Sequence, residues 1–184
     1  MTDLLATHLD KFGWKQYKVL RQRYQKEGFI KVSWFLGPLD NSFTLFIDPV
    51  AEHRFLIFSA FRLALLPESV PESIKTKVFE KIAEENDANT FGCYGFNSRN
   101  NHITYRLIIP MEGADMSYET FIRYLKIAVR ACETCGSHVF ETLNDAGPSW
   151  QKKLKPDSDI DQILRSIQDR FPRDIDNPEF GEGE

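Results

Sequence analysis

Between Phe29 and Leu63 three runs rich in aromatic and β-branched residues, Phe29 to Leu36, Ser42 to Asp48 and His53 to Leu63, follow one another with only a few residues between them. Strands joined so closely pair antiparallel, because a parallel crossover needs a dozen residues or more. The first run places Ile30, Val32, Trp34 and Leu36 in alternation with Lys31 and Ser33, which puts the apolar side chains on one face. Gly37-Pro38-Leu39-Asp40-Asn41 after it is turn chemistry. This part of the chain therefore reads as an antiparallel meander with at least one buried face.

The flanking segments follow a helical period. Trp14, Tyr17, Leu20 and Tyr24 recur at helical spacing with lysines and arginines between them, and Gly28 offers a stop, so a first helix is expected there. Ser69, Pro71 and Glu72 spell a capped helix start, with Ile74, Val78, Phe79 and Ile82 as its apolar stripe to about Asn86. A second hairpin follows, Thr90 to Phe96 and His102 to Ile109 around Asn97 to Asn101. Ser117 then caps a long helix whose stripe is Phe121, Leu125, Ala128, Val129 and Cys132, continuing towards Leu143. The expectation is an α+β class: a five-stranded antiparallel sheet with helices packed on it, in the order α-β-β-β-α-β-β-α. One domain should span 1–147, ending at Gly147-Pro148. Residues 148–184 should form a linker, a short amphipathic helix bearing Ile160, Ile163, Leu164 and Ile167, and a disordered acidic tail.

At 184 residues, with 42% hydrophobic and 27% charged residues, the chain suits one well-buried core rather than disorder. Its apolar stretches fall short of the ~20 residues of a membrane span, and Asp3, His8 and Asp10 stand where a secretory signal would be basic and then apolar. A cytoplasmic protein is expected. Three cysteines, an odd number, point to free thiols. The net charge of −4 matches that of the stretch from Pro172 to Glu184, with its five acids and one base, so the remainder is neutral. No global attraction to nucleic acid or anionic lipid follows.

Two constellations invite chemistry. Cys132-Glu133-Thr134-Cys135 with His138 has the look of a redox couple or half a zinc site, yet it lies far inside a helix, away from the amide field that activates a thiol. Zinc needs a fourth ligand, which the sequence does not supply nearby. Core cysteines on an apolar stripe account for the same residues. Lys11, Lys15, Lys18, Arg21, Arg23 and Lys26 interleave with aromatics as an RNA-binding patch would, and equally as the solvated face of an amphipathic helix. Gly92-Cys93-Tyr94-Gly95 reads as strand glycine, marking a bulge or a close backbone approach. Nucleotide-loop, nucleophile-elbow and zincin motifs do not occur. No catalytic, cofactor-binding or metal-binding residue is assigned.

From Val78 to Leu143 the chain shows Phe-Glu-Lys-Ile-Ala-Glu-Glu-Asn ending at Asn86, then Gly-Cys-Tyr-Gly-Phe, then Ile-Thr-Tyr-Arg-Leu-Ile-Ile-Pro with Tyr105-Arg106, then the serine-capped helix. This resembles the YbjN-like family, described as candidate bacterial sensory transduction regulators and similar in fold to class I type III secretion chaperones. The resemblance extends over most of Phe29 to Leu143 and departs at Asn97 to Asn101, where an Asp and a Gly are usual. It implies a bacterial, non-enzymatic, protein-binding or regulatory module, chaperone-like, acting as a homodimer on a protein client. Because several strands carry aromatics on both faces, Trp34, Phe35, Phe46 and Phe58, with Ile160, Ile163, Leu164 and Ile167, are the candidate protein-interaction surface. The alternatives are a metal- or redox-active protein using Cys132, Cys135 and His138, and an RNA-binding domain using the basic first helix.

Overall fold

A computed structural model describes residues 1–21, 28–36, 41–50, 54–111 and 116–145, all within one unit, Met1–Ala146. The elements are α1 (Thr2–Phe12), β1 (Tyr17–Leu20), β2 (Phe29–Leu36), β3 (Asn41–Val50), β4 (Phe55–Leu65), α2 (Glu72–Ala88), β5 (Cys93–Asn97), β6 (His102–Pro110) and α3 (Tyr118–Asp145). The strands form one antiparallel sheet in the order β1-β2-β3-β4-β6-β5. The sheet thus has six strands where five were expected. The segments 22–27 and 147–184, including the linker, the amphipathic helix and the acidic tail, lie outside the described residues. Among the described residues no helix is long and apolar enough to cross a membrane.

The discrepancy arises at the N-terminus. The helix is Thr2–Phe12, whose Leu5 and Leu9, four residues apart, are fully buried. It ends at Gly13, which is left-handed at φ 86°, where the Gly13 and Trp14 amides bond back to Asp10 and Leu9. Over its described residues, Trp14 to Arg21, the expected helix is instead a connector and an edge strand. Spacing of three to four residues cannot be told from strand alternation over so short a run. The open edge of β2 offers ladder bonds that a helix there would forgo: Tyr17 pairs with Val32 and Leu20 with Phe29. A Cβ at Gly28 would stand 2.6 Å from the Leu20 carbonyl oxygen, so this glycine marks a close backbone approach.

The remaining boundaries are nearly as read. α3 begins behind Ser117, whose hydroxyl accepts the Thr120 amide, as a cap should. The capping box at Ser69 is absent: Pro71 is the residue before α2, with no side-chain cap. β4 is broken by a register shift between Ala60 and Ala64, which bends the strand.

All three helices pack on one face of the sheet. There Ile30, Val32, Leu45, Ile47, Leu56, Phe58, Ile103 and Tyr105 meet the buried side of α3, where Phe121, Leu125, Ala128 and Cys132 lie. Phe58 stacks on Phe121 with ring centroids 6.2 Å apart.

Asn86, at the end of α2, closes the outer edge of β5. Its side-chain amide donates to the Tyr94 carbonyl at 3.0 Å and accepts the Tyr94 N–H at 2.7 Å, as a neighbouring strand would. It therefore occupies an edge position that another chain could use. Asn86→Ala leaves both backbone groups without that partner and should lower stability by about 1–3 kcal/mol, read by urea denaturation. Loss below about 0.5 kcal/mol would mean that water replaces the clamp.

Candidate interaction surfaces

Cys132 and Cys135 are almost wholly buried between α3 and the sheet. Burial, followed by the nearby Glu85 carboxylate, pushes the Cys135 thiol up to about 12, and burial drives Cys132 upward too. Both stay protonated at neutral pH, and a thiol in that state is neither a nucleophile nor a good metal ligand. His138 lies partly exposed and donates from Nδ1 to Glu85 Oε1 at 2.5 Å, tying α3 to α2. The Tyr94 hydroxyl donates to the Ala131 carbonyl at 2.8 Å in the same region. Among the described residues no group of three or more His, Cys, Asp or Glu side chains could hold a metal ion. The geometry here is that of a packed helix pair.

The basic first helix does not exist as a single face. Lys11 belongs to the last turn of α1, with its ammonium 4.0 Å from the centre of the Tyr118 ring. Lys15 lies in the connector and Lys18 in β1, while Arg21 pairs with Asp3 at 3.0 Å. Arg23 and Lys26 lie outside the described residues.

The expected interaction residues separate. Phe58 is fully buried under α3, and Trp34 is 8% exposed, with its indole N–H donating to Glu133 at 3.1 Å. Both belong to the helix-covered core, because their alternation places them beside Ile47, Phe43 and Leu107 rather than on the outer face. Phe35 pairs with Ser42 in the β2–β3 ladder, and its side chain lies outside what is described. Ile160, Ile163, Leu164 and Ile167 also lie outside the described residues. Of the three whose side chains are described, Trp34, Phe46 and Phe58, only Phe46 occupies the opposite face.

That opposite face is apolar where an open antiparallel sheet is usually polar. Phe29 and Phe46 lie 5.9 Å apart, and Phe46 and Phe61 5.3 Å, forming an aromatic stripe across β2, β3 and β4. Ile57 pairs with Ile108 on β6, and Phe55 with Pro110. Phe61 is 48% exposed, Ile108 50% and Phe55 39%. Polar groups interrupt the stripe in register. Lys18, Lys31, Phe46, Ser59 and Arg106 form one row across the strands, and Asp48 stands beside Ile57 in the next. Burial against the apolar neighbours pushes the Asp48 carboxyl above the usual carboxylate range, and among the described residues no cation pairs with it.

The strand alternation carried the signal for this face, since the partners of the buried set are Phe29, Phe46, Ile57, Phe61 and Ile108. The same alternation places Trp34 and Phe58 with the buried set.

No protein-family model matches this chain, and no curated protein matches its sequence. Solved structures do. An uncharacterized protein from Methanothermobacter thermautotrophicus superimposes with a TM-score of 0.55 at 13% identity, over 77% of this chain and 98% of that one. YbjN from E. coli, a candidate transcription regulator, gives 0.50 at 14% identity, over 73% and 87%. The HopA1–SchA chaperone–effector complex stands lower, at 0.46 and 10%, over 73% and 91%. Identities this low speak to the fold alone. The chain shares its fold with YbjN and with the Methanothermobacter protein, as the resemblance of residues 78–143 to the YbjN-like family implied.

Proposed function

We propose that this chain is a protein-binding module of regulatory or chaperone-like kind, without chemistry of its own, and that it acts as a homodimer whose copies meet through the open face of the sheet. The observation that supports this reading is the half-exposed stripe of Phe61, Ile108 and Phe55 on a face that none of the three helices covers. An apolar surface of this kind on a folded protein is stabilised by burial against another surface. Self-association suits it because the face is self-complementary in charge. A two-fold axis lying in the plane of the interface, running across the strands between the two rows, lays Asp48 of each copy on the Lys31 and Arg106 row of the other. The carboxylate that pairs with no cation among the described residues of one copy gains one in the pair.

Light scattering coupled to size exclusion tests it. The full chain should elute as a dimer, and a Phe61→Asp/Ile108→Asp variant should weaken the dimer roughly 30-fold or more while keeping its far-UV circular dichroism. A monomeric full chain rules out self-association and leaves the face to a client protein. A dimer untouched by the substitutions places the contact elsewhere.

A further inference from the structure

A second surface, at the β1 edge of the sheet, has a different character. Phe12, Trp14, Lys15, Gln16, Ser33 and Trp34 line an open cleft of about 520 Å³, within the size range of peptide and small-molecule sites. Its floor is aromatic. The Trp14 and Trp34 rings meet nearly at right angles, 87°, with centroids 6.0 Å apart, and Phe12 stacks on Trp14 at 6.3 Å. Both indole N–H groups are engaged internally, Trp34 with Glu133 at 3.1 Å and Trp14 with the Ser33 carbonyl at 3.4 Å. The floor therefore presents ring faces and edges, which suit an aromatic or prolyl side chain.

The flanks are basic. Lys126 places its ammonium 5.4 Å from the centre of the Phe12 ring, and Glu133 reaches Trp34, so α3 runs along one side of the cleft between these two contacts. Arg130 follows Lys126 by four residues and precedes Glu133 by three, on the same helical face, and it is exposed. Lys15, also exposed, lines the cleft itself. Among the described residues none of Lys15, Lys126 and Arg130 has an ion pair. Three cations around a bounded aromatic floor do not form the continuous track a nucleic-acid backbone needs, least of all on a chain of net charge −4.

We propose that this cleft binds a short acidic peptide segment of a partner protein, its aromatic or prolyl side chain against Trp14 and Trp34 and its carboxylates against Lys15, Lys126 and Arg130. The proposal goes beyond the open sheet face and does not depend on the dimer.

The test uses the full chain on a dodecapeptide array graded from acidic to basic and from aromatic-rich to aromatic-free, followed by titration of the best acidic peptide. Replacing Trp150 by Phe makes the indole emission report Trp14 and Trp34 alone. Binding should concentrate on acidic peptides with an aromatic or proline, shift the emission, and weaken about 10-fold or more in a Lys126→Glu/Arg130→Glu variant. Both residues are exposed, so the variant should fold; circular dichroism checks that. No enrichment of acidic peptides overturns the proposal, as does binding that the variant leaves unchanged. Tighter binding of a single-stranded RNA dodecamer than of any peptide, lost in the same variant, overturns it in favour of nucleic acid. A Phe61→Asp/Ile108→Asp chain should bind the peptide as well as the parent does, which separates this site from the sheet face.

Discussion

Phe58→Ala should destabilise the folded chain by about 3–5 kcal/mol, the cost of removing a fully buried ring and leaving a cavity behind it. Phe58 lies across from Ile47 on β3 and Leu107 on β6, and stacks on Phe121 of α3. Its loss therefore opens the close-packed contact between sheet and longest helix, where little can collapse to fill the space. Set against a total stability of roughly 5–15 kcal/mol for a domain, such a loss is large. Urea denaturation monitored by circular dichroism measures it. Phe58 stood among the expected interaction residues, so the same experiment decides its role. A core role lowers the midpoint and leaves the association constant of the folded protein unchanged. Unaltered stability with weakened association would place Phe58 on a contact surface and contradict the burial described above.

Gly92→Ala should cost about 2–4 kcal/mol and lower Tm by roughly 5–15 °C for a chain of this size. Two effects combine at this glycine. Its backbone is left-handed at φ 79°, where an L side chain is strained. An added Cβ would also stand 2.5 Å from the Tyr105 hydroxyl and 2.8 Å from the Arg106 carbonyl oxygen. Tyr105 cannot easily yield, since its hydroxyl donates to the Phe91 carbonyl at 3.0 Å and its ring is buried against Tyr94. Gly95, three residues on, provides the control. It has no positive φ, and its Cβ would meet only the Thr104 hydroxyl at 3.3 Å. Gly95→Ala should cost less than about 1 kcal/mol by the same thermal melt. Equal losses at the two positions would show that the strand tolerates neither side chain and that the turn geometry at Gly92 is not the cause.

The candidate surfaces illustrate where reading from residues stops. The apolar character of the outer sheet face is written in the alternation of β2, β3 and β4, and only the parity of individual aromatics had to be followed to place Phe46, Phe61 and Ile108 there. The cleft was not legible, because Phe12 to Gln16 and Ser33 to Trp34 are brought together by the β1–β2 pairing, and Lys126 and Arg130 come from α3, about a hundred residues further along the chain. A basic, aromatic N-terminal segment was visible, but its helix-like spacing hid an edge strand.

The amino-acid sequence by itself determined the antiparallel meander of Phe29 to Leu65, the second hairpin, and the helices α2 and α3. These depend on contacts within a few residues: alternation against one face, turn residues between strands, a serine cap, an apolar stripe of period 3.6. Tertiary structure alone decided four other matters. It made Tyr17–Leu20 a sixth strand, because the unpaired edge of β2 offered hydrogen bonds that local propensity cannot register. It set the order β4-β6-β5, which brings the Asn86 amide to the edge of β5. It set how deeply Cys132 and Cys135, already legible as core residues on the apolar stripe of α3, are buried, which keeps both thiols protonated. And it gathered all three helices on one face, so that Trp34 and Phe58 became core while Phe61 and Ile108 remained half exposed to whatever the sheet meets.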